Sequence, residues 1–131
     1  MNQKSYSDYI LNGLIKVFPS FINCYSYTNE IVNIDFWSNK GFLKLWITTY
    51  NMEVTIGFEG KEPKFDWHTH MSLFGAYNPD DELREAINLI QDIILGEYSI
   101  AFDINEGYSL VEESDTEITE NKFQIFKWSE L

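Results

Sequence analysis

Between residues 31 and 59 the side chains alternate, one apolar and one mixed, three times over. Val32, Ile34 and Phe36 interleave with Asn33, Asp35 and Trp37; Leu43, Leu45 and Ile47 with Lys44, Trp46 and Thr48; Val54, Ile56 and Phe58 with Glu53, Thr55 and Gly57. Successive residues of a strand point to opposite sides, so each run makes a strand with one apolar face that must be covered and one mixed face that meets water. The breaks Thr-Asn-Glu, Ser-Asn-Lys-Gly, Tyr-Asn-Met and Glu-Gly-Lys-Glu-Pro are turn-forming. At this spacing they imply hairpins in series, an antiparallel meander over about residues 22–71.

The cover for the apolar face comes from two segments with helical period. Tyr6, Tyr9, Ile10, Gly13, Leu14 and Val17 fall on one face of a helix over residues 5–18, with Ser5 and Asp8 resembling a capping box and Pro19 closing it. A second helix over residues 79–95 has Asn78 as N-cap and Pro79 at its first position. Asp80, Asp81 and Glu82 then stand against the positive end of its dipole. Leu83, Ala86, Ile87, Ile90, Ile93 and Ile94 form its apolar stripe, and Gly96 stops it. Three more strands are predicted at about residues 98–104, 108–112 and 122–128, the last two joined by a solvated acidic loop over 112–120. The 131 residues therefore predict a single domain, 1–131, of the α+β class: an antiparallel sheet of six to eight strands with both helices on its apolar face.

Charge narrows the partners. The net charge is −12 with only nine scattered basic residues, which disfavours nucleic acid and anionic membranes and favours a basic protein partner. Cys24 stands alone, so no intramolecular disulfide forms. Asn12, Gly13 and Lys16 interrupt the apolar residues of the first helix, so it does not read as a secretory leader, and no run approaches the roughly 20 apolar residues of a membrane span. The expectation is a cytoplasmic protein.

The stretch Phe65-Asp-Trp-His-Thr-His-Met-Ser72 comes nearest to naming a chemistry. On a strand over 62–71, Glu62, Lys64, Asp66, His68 and His70 share one face, while Phe65, Trp67 and Met71 share the core-facing one. Two imidazoles and a carboxylate suit Zn²⁺ chemically. Three successive co-facial positions on one strand, however, span about 13 Å and cannot converge on an ion about 2 Å from each donor. Lys64 in the same row also opposes a dication. No metal and no cofactor is expected. There is no nucleophile elbow, glycine-rich phosphate loop or C-x-x-C, and Cys24 in a strand pattern reads as a small buried apolar residue. No catalytic residue is assigned.

If the meander pairs in chain order, the mixed faces gather aromatics among acids, with Glu53 close by. Asp35, Trp37, Trp46, Tyr50, Asp66, His68 and His70 are then the candidate partner-binding residues, the aromatics as anchors and the acids as complement to a basic partner. Trp37 and Trp46 read alternatively as core beneath the C-terminal strands or the first helix.

Two resemblances bear on function. His68-Thr69-His70 followed by Asp80, Asp81 and Glu82 resembles the JAMM metalloprotease motif, which implies a zinc-dependent isopeptidase using His68, His70 and Glu82, with Glu53 or Glu59 as general base. Met71, Pro79 and Glu82 stand where that motif has Pro, Ser and Asp. Small size, acidity and the helix–meander–helix–strands order, with the phrase Phe65-x-Trp67-His68-x-His70, resemble the single-domain immunity proteins of bacterial polymorphic-toxin systems. That resemblance implies a non-catalytic inhibitor that blocks a toxic protein partner by occlusion, and it is the functional expectation carried forward.

Overall fold

A computed structural model describes residues 1–61, 66–112 and 124–131. Helix α1 runs Gln3–Val17 and helix α2 Pro79–Ile94. Five strands, β1 (Tyr25–Thr28), β2 (Ile31–Trp37), β3 (Lys44–Thr48), β4 (Thr55–Glu59) and β5 (Trp67–His70), form an antiparallel sheet in chain order. Three more, β6 (Tyr98–Asp103), β7 (Gly107–Glu112) and β8 (Gln124–Phe126), form a second antiparallel sheet in the order β7-β6-β8.

The α+β class and the chain-order meander are as the alternation predicts, but the strands form two sheets where one was expected. The C-terminal strands satisfy one another: β6 lies between β7 and β8 and exchanges ladder bonds with both, so it needs no edge of the first sheet. Residues 62–65 and 113–123, and with them Phe65 and most of the expected acidic loop, lie outside the described residues.

Helix α1 begins earlier than its sequence signal. Asn2 is the N-cap: its side chain accepts from the Ser5 amide while Ser5 Oγ accepts from the Asn2 amide, so Ser5 closes the capping box instead of opening it. Tyr6, Ile10, Leu11 and Leu14 are buried, and Val17 is exposed. The two helices pack together at Gly13, where an added Cβ would stand 2.4 Å from Leu83 Cδ2 and would force the leucine side chain to shift. The β1–β2 hairpin turns on Asn29 and Glu30, both at positive φ (53° and 67°), the geometry that matches the twist of paired strands.

Val32, Ile34, Leu45, Ile47, Ile56 and Phe58 line the inner face and are fully buried, with Ile10, Leu14, Ile90 and Ile93 of the helices in the same core. Trp67 stacks on Phe58 at 5.1 Å between ring centroids, and Trp128 from the C-terminal 3-10 turn lies 6.5 Å from Phe58 on the same side. Among the described residues, no helix is long and apolar enough to cross a membrane.

One acid belongs to this core. Glu82, expected only to face the dipole of α2, is buried: one oxygen accepts from Tyr6 Oη (2.8 Å) and the other from the Val54 amide (3.1 Å). The first turn of α2 is thereby tied to α1 and to the chain entering β4. Burial, then Glu82, raises the Tyr6 hydroxyl far above its ordinary value.

Candidate functional site

The opposite face of the five-stranded sheet carries the residues singled out in the sequence. The strand register aligns them in rows. One row is Asp35, Trp46, Gly57 and His68; a second is Trp37, Lys44 and Glu59; a third is Asn33, Thr48, Thr55 and His70. Asp35, Trp37, Asp66 and His68 are exposed, and Lys44, Trp46, Glu59 and His70 half-buried. Trp37 retains 48% of its surface, so it is not core.

Gly57 sets the posture of Trp46. It is the residue directly across from Trp46, and a Cβ on it would stand 2.3 Å from Trp46 Cζ2 and 2.5 Å from Cε2. The indole therefore lies across the glycine, in the space a side chain would take, and reaches toward His68 with ring centroids 6.2 Å apart.

Lys44 sits in the neighbouring row, its Nζ 3.2 Å from Glu59 and 3.7 Å from Asp35. The same Nζ is 5.8 Å from the centre of the Trp37 ring, within cation–π range. Asp66 has no hydrogen bond or ion pair among the described residues. Loss of hydration, followed by the nearby Glu59 charge, raises its carboxyl above the usual value, against smaller opposing effects of Lys44 and His68. Asp66 is exposed and immediately precedes Trp67, whose ring packs inward on Phe58, so alternation along the chain turns Asp66 to the outer face.

The two histidines do come together, ring against ring edge, at 5.3 Å between centroids. His70 Nδ1 is 2.7 Å from Glu53 Oε1 and 2.8 Å from Thr55 Oγ1. A carboxylate oxygen only accepts, so Nδ1 is the donor to Glu53. Tyr50 occupies a 3-10 turn at the β3–β4 end of the sheet, 67% exposed and bonded through its amide to Thr48 Oγ1.

The structure thus groups Asp35, Trp37, Trp46, Asp66 and His68 on one surface, with His70 at its margin and Tyr50 at its end. Sequence reasoning missed Lys44 and Gly57 as parts of it. The signal was present in the mixed positions of β3 and β4, where one cation and one absent side chain stand among aromatics and acids. Glu82, which the JAMM resemblance sets with the histidines, has both oxygens engaged by Tyr6 and Val54. Among the described residues, no group of three or more His, Cys, Asp or Glu is arranged to hold a metal ion.

A separate concavity of about 440 Å³ lies between the sheets, lined by Phe42, Lys61, Phe102, Tyr108, Phe126 and Leu131 among others. It is mainly apolar and contains none of the residues of the outer face. The chain matches no protein-family model, no curated protein and no solved structure.

Proposed function

We propose that the protein is a non-catalytic binding module, an immunity-type inhibitor that uses the outer face of its first sheet to occlude a basic protein partner. The observation that carries this reading is the exposed surface itself. Two tryptophans stand among Asp35, Glu59 and Asp66 with Lys44 as the resident cation, on the side of the sheet away from the helices. Aromatic anchors ringed by charge are the composition of protein-binding centres, and net acidity adds attraction to a basic partner at long range. The same face carries the imidazoles of His68 and His70 edge to ring, the Nδ1 of His70 tied to Glu53 and Thr55. Occlusion without turnover is the chemistry such a surface supports.

The test is capture of a partner from bacterial lysate, followed by association and dissociation kinetics and hydrogen exchange of the complex. Protection on β2, β3 and β5 is expected. Trp46→Ala accelerates dissociation, with a cost of about 2 kcal/mol or more for an anchor. Asp35→Asn slows association at low salt, and the difference fades as salt screens it. A footprint on α1 and α2, with neither variant affected, overturns the reading.

A further inference from the structure

We infer that strand β1 is a self-association edge, whose open side pairs antiparallel with β1 of a second copy of this chain and so joins the two five-stranded sheets edge to edge. The pairing does not depend on what the outer face binds.

The register fixes which backbone groups are open. The Asp35 amide donates to the Cys24 carbonyl, so on β1 Cys24, Ser26 and Thr28 turn their backbone groups toward β2, while Tyr25 and Tyr27 turn theirs off the sheet. The parity of β2 agrees, since the Val32 carbonyl accepts from the Thr49 amide on the β3 side. All four residues of β1 are exposed. Among the described residues, no hydrogen bond reaches the outward amides and carbonyls of Tyr25 and Tyr27.

The occupant follows from symmetry and charge. A two-fold axis at Ser26 maps the open groups onto themselves: Tyr25 meets Tyr27 of the second copy, Tyr27 meets its Tyr25, and each pair exchanges two ladder bonds. A charge near such an axis would confront its own copy. Residues 17–29 contain no Asp, Glu, Lys, Arg or His, in a chain of net charge −12. Of the acids beside the strand, Asp8 is held by Lys4 and the Tyr27 hydroxyl, Asp35 by Lys44, and Glu30 lies beyond Thr28 in the hairpin turn. The opposite edge of the sheet differs, because β5 carries His68 and His70 with Asp66 just before it. An uncharged strand also offers a basic partner nothing to recognise, which separates β1 from the outer face. Tyr25 and Tyr27 stand across from Ile34 and Val32 at the rim of the inner face, 40% and 37% exposed, and the two cross-strand tyrosine pairs cover part of that surface.

Cross-strand partners share a face, so the joined sheet carries both outer faces on one side. Four-residue pairing buries little area, and two acidic chains repel each other, so the dimer is weak and is strengthened by salt. Capture of a basic partner has the opposite salt dependence.

Sedimentation equilibrium of the full chain from about 10 µM to 1 mM should show a reversible dimer whose dissociation constant falls at least about threefold from low to high salt. Ser26→Glu sets two carboxylates across the axis and should weaken the dimer at least about tenfold, whereas Ser26→Thr keeps it, with an unchanged urea midpoint in both. Cross-linking tests the register without relying on that variant. On a Cys24→Ser background, Ser26→Cys places two thiols across the axis with Cα atoms about 4.5 Å apart, whereas Thr28→Cys faces residue 24 of the second copy. Oxidation should therefore cross-link Ser26→Cys at least about fivefold faster than Thr28→Cys. A monomer at every concentration and salt, a dimer indifferent to Ser26→Glu, or equal cross-linking of the two cysteine variants overturns the pairing. Protection of β1 by a captured partner in a chain that stays monomeric overturns it as well, and gives the edge to that partner.

Discussion

Ile34 and Asp35 are neighbours on β2, as Leu45 and Trp46 are on β3, yet they belong to two different surfaces. The inner members are fully buried beneath the helices, while Asp35 is exposed and Trp46 half-buried. The treatment of acids differs as sharply. Glu82 in the core has a donor for each oxygen, whereas Asp66 on the outer face has none among the described residues and carries a raised carboxyl. A buried charge is tolerated only when each of its lone pairs is answered. An exposed one is left unanswered at small cost, and that leaves it available to something else. The inner face therefore holds the fold, and the outer face is where side chains can change without unfolding it.

Phe58→Ala against Trp37→Ala is the largest contrast. Truncating fully buried Phe58, which packs on both Trp67 and Trp128, should lower unfolding free energy by about 3–5 kcal/mol, whereas truncating half-exposed Trp37 should cost under about 1 kcal/mol. Urea unfolding of the two variants measures both, and comparable losses would mean that the faces are not distinct.

Glu82→Ala comes next. It strands the Tyr6 hydroxyl and the Val54 amide, and the expected loss is about 2–4 kcal/mol, since each buried unpaired group costs about 1–3 kcal/mol. Substitution of Glu59 by Gln, on the outer face, should shift the same urea midpoint little.

A pH series sharpens the comparison further. Tyr6 in the unfolded chain ionises near pH 10, but the fold keeps its proton, so its contribution is complete below about pH 10 and is lost as pH rises beyond that value. Each further pH unit should cost about 1.4 kcal/mol from this group. In Tyr6→Phe the alkaline fall of thermal midpoint should be shallower by one proton's worth, and an unchanged slope would remove Tyr6 from the account.

The smallest effect belongs to Asp66. Its raised carboxyl means that the charged form is disfavoured in the fold, a cost present at neutral pH that disappears as pH falls and the native state takes up the proton first. Asp66→Asn should therefore stabilise the protein slightly at pH 7, by at most about 0.5 kcal/mol because the group is exposed, with the gain vanishing in acid. A destabilising result would show that Asp66 makes an attractive contact in the folded chain.

What the sequence determined by itself was local and periodic. Strict alternation in β2, β3 and β4 assigned the inner and outer residues correctly, because strand geometry gives each residue only two directions. Asn78 and Pro79 marked the start of α2 because an N-cap needs only the next turn to act. The chain-order meander followed from short turns, which leave adjacent strands little choice of neighbour. The tertiary structure alone decided the rest. Whether β6 joined the first sheet or built a second depended on which partners completed its ladder, a long-range choice without a period. Whether Glu82 faced water or the core depended on Tyr6, 76 residues away. Gly57 in the alternation is simply a gap in the apolar pattern. Only the register opposite Trp46 makes it a seat for an indole, because contact across strands is set by pairing and not by position in the chain.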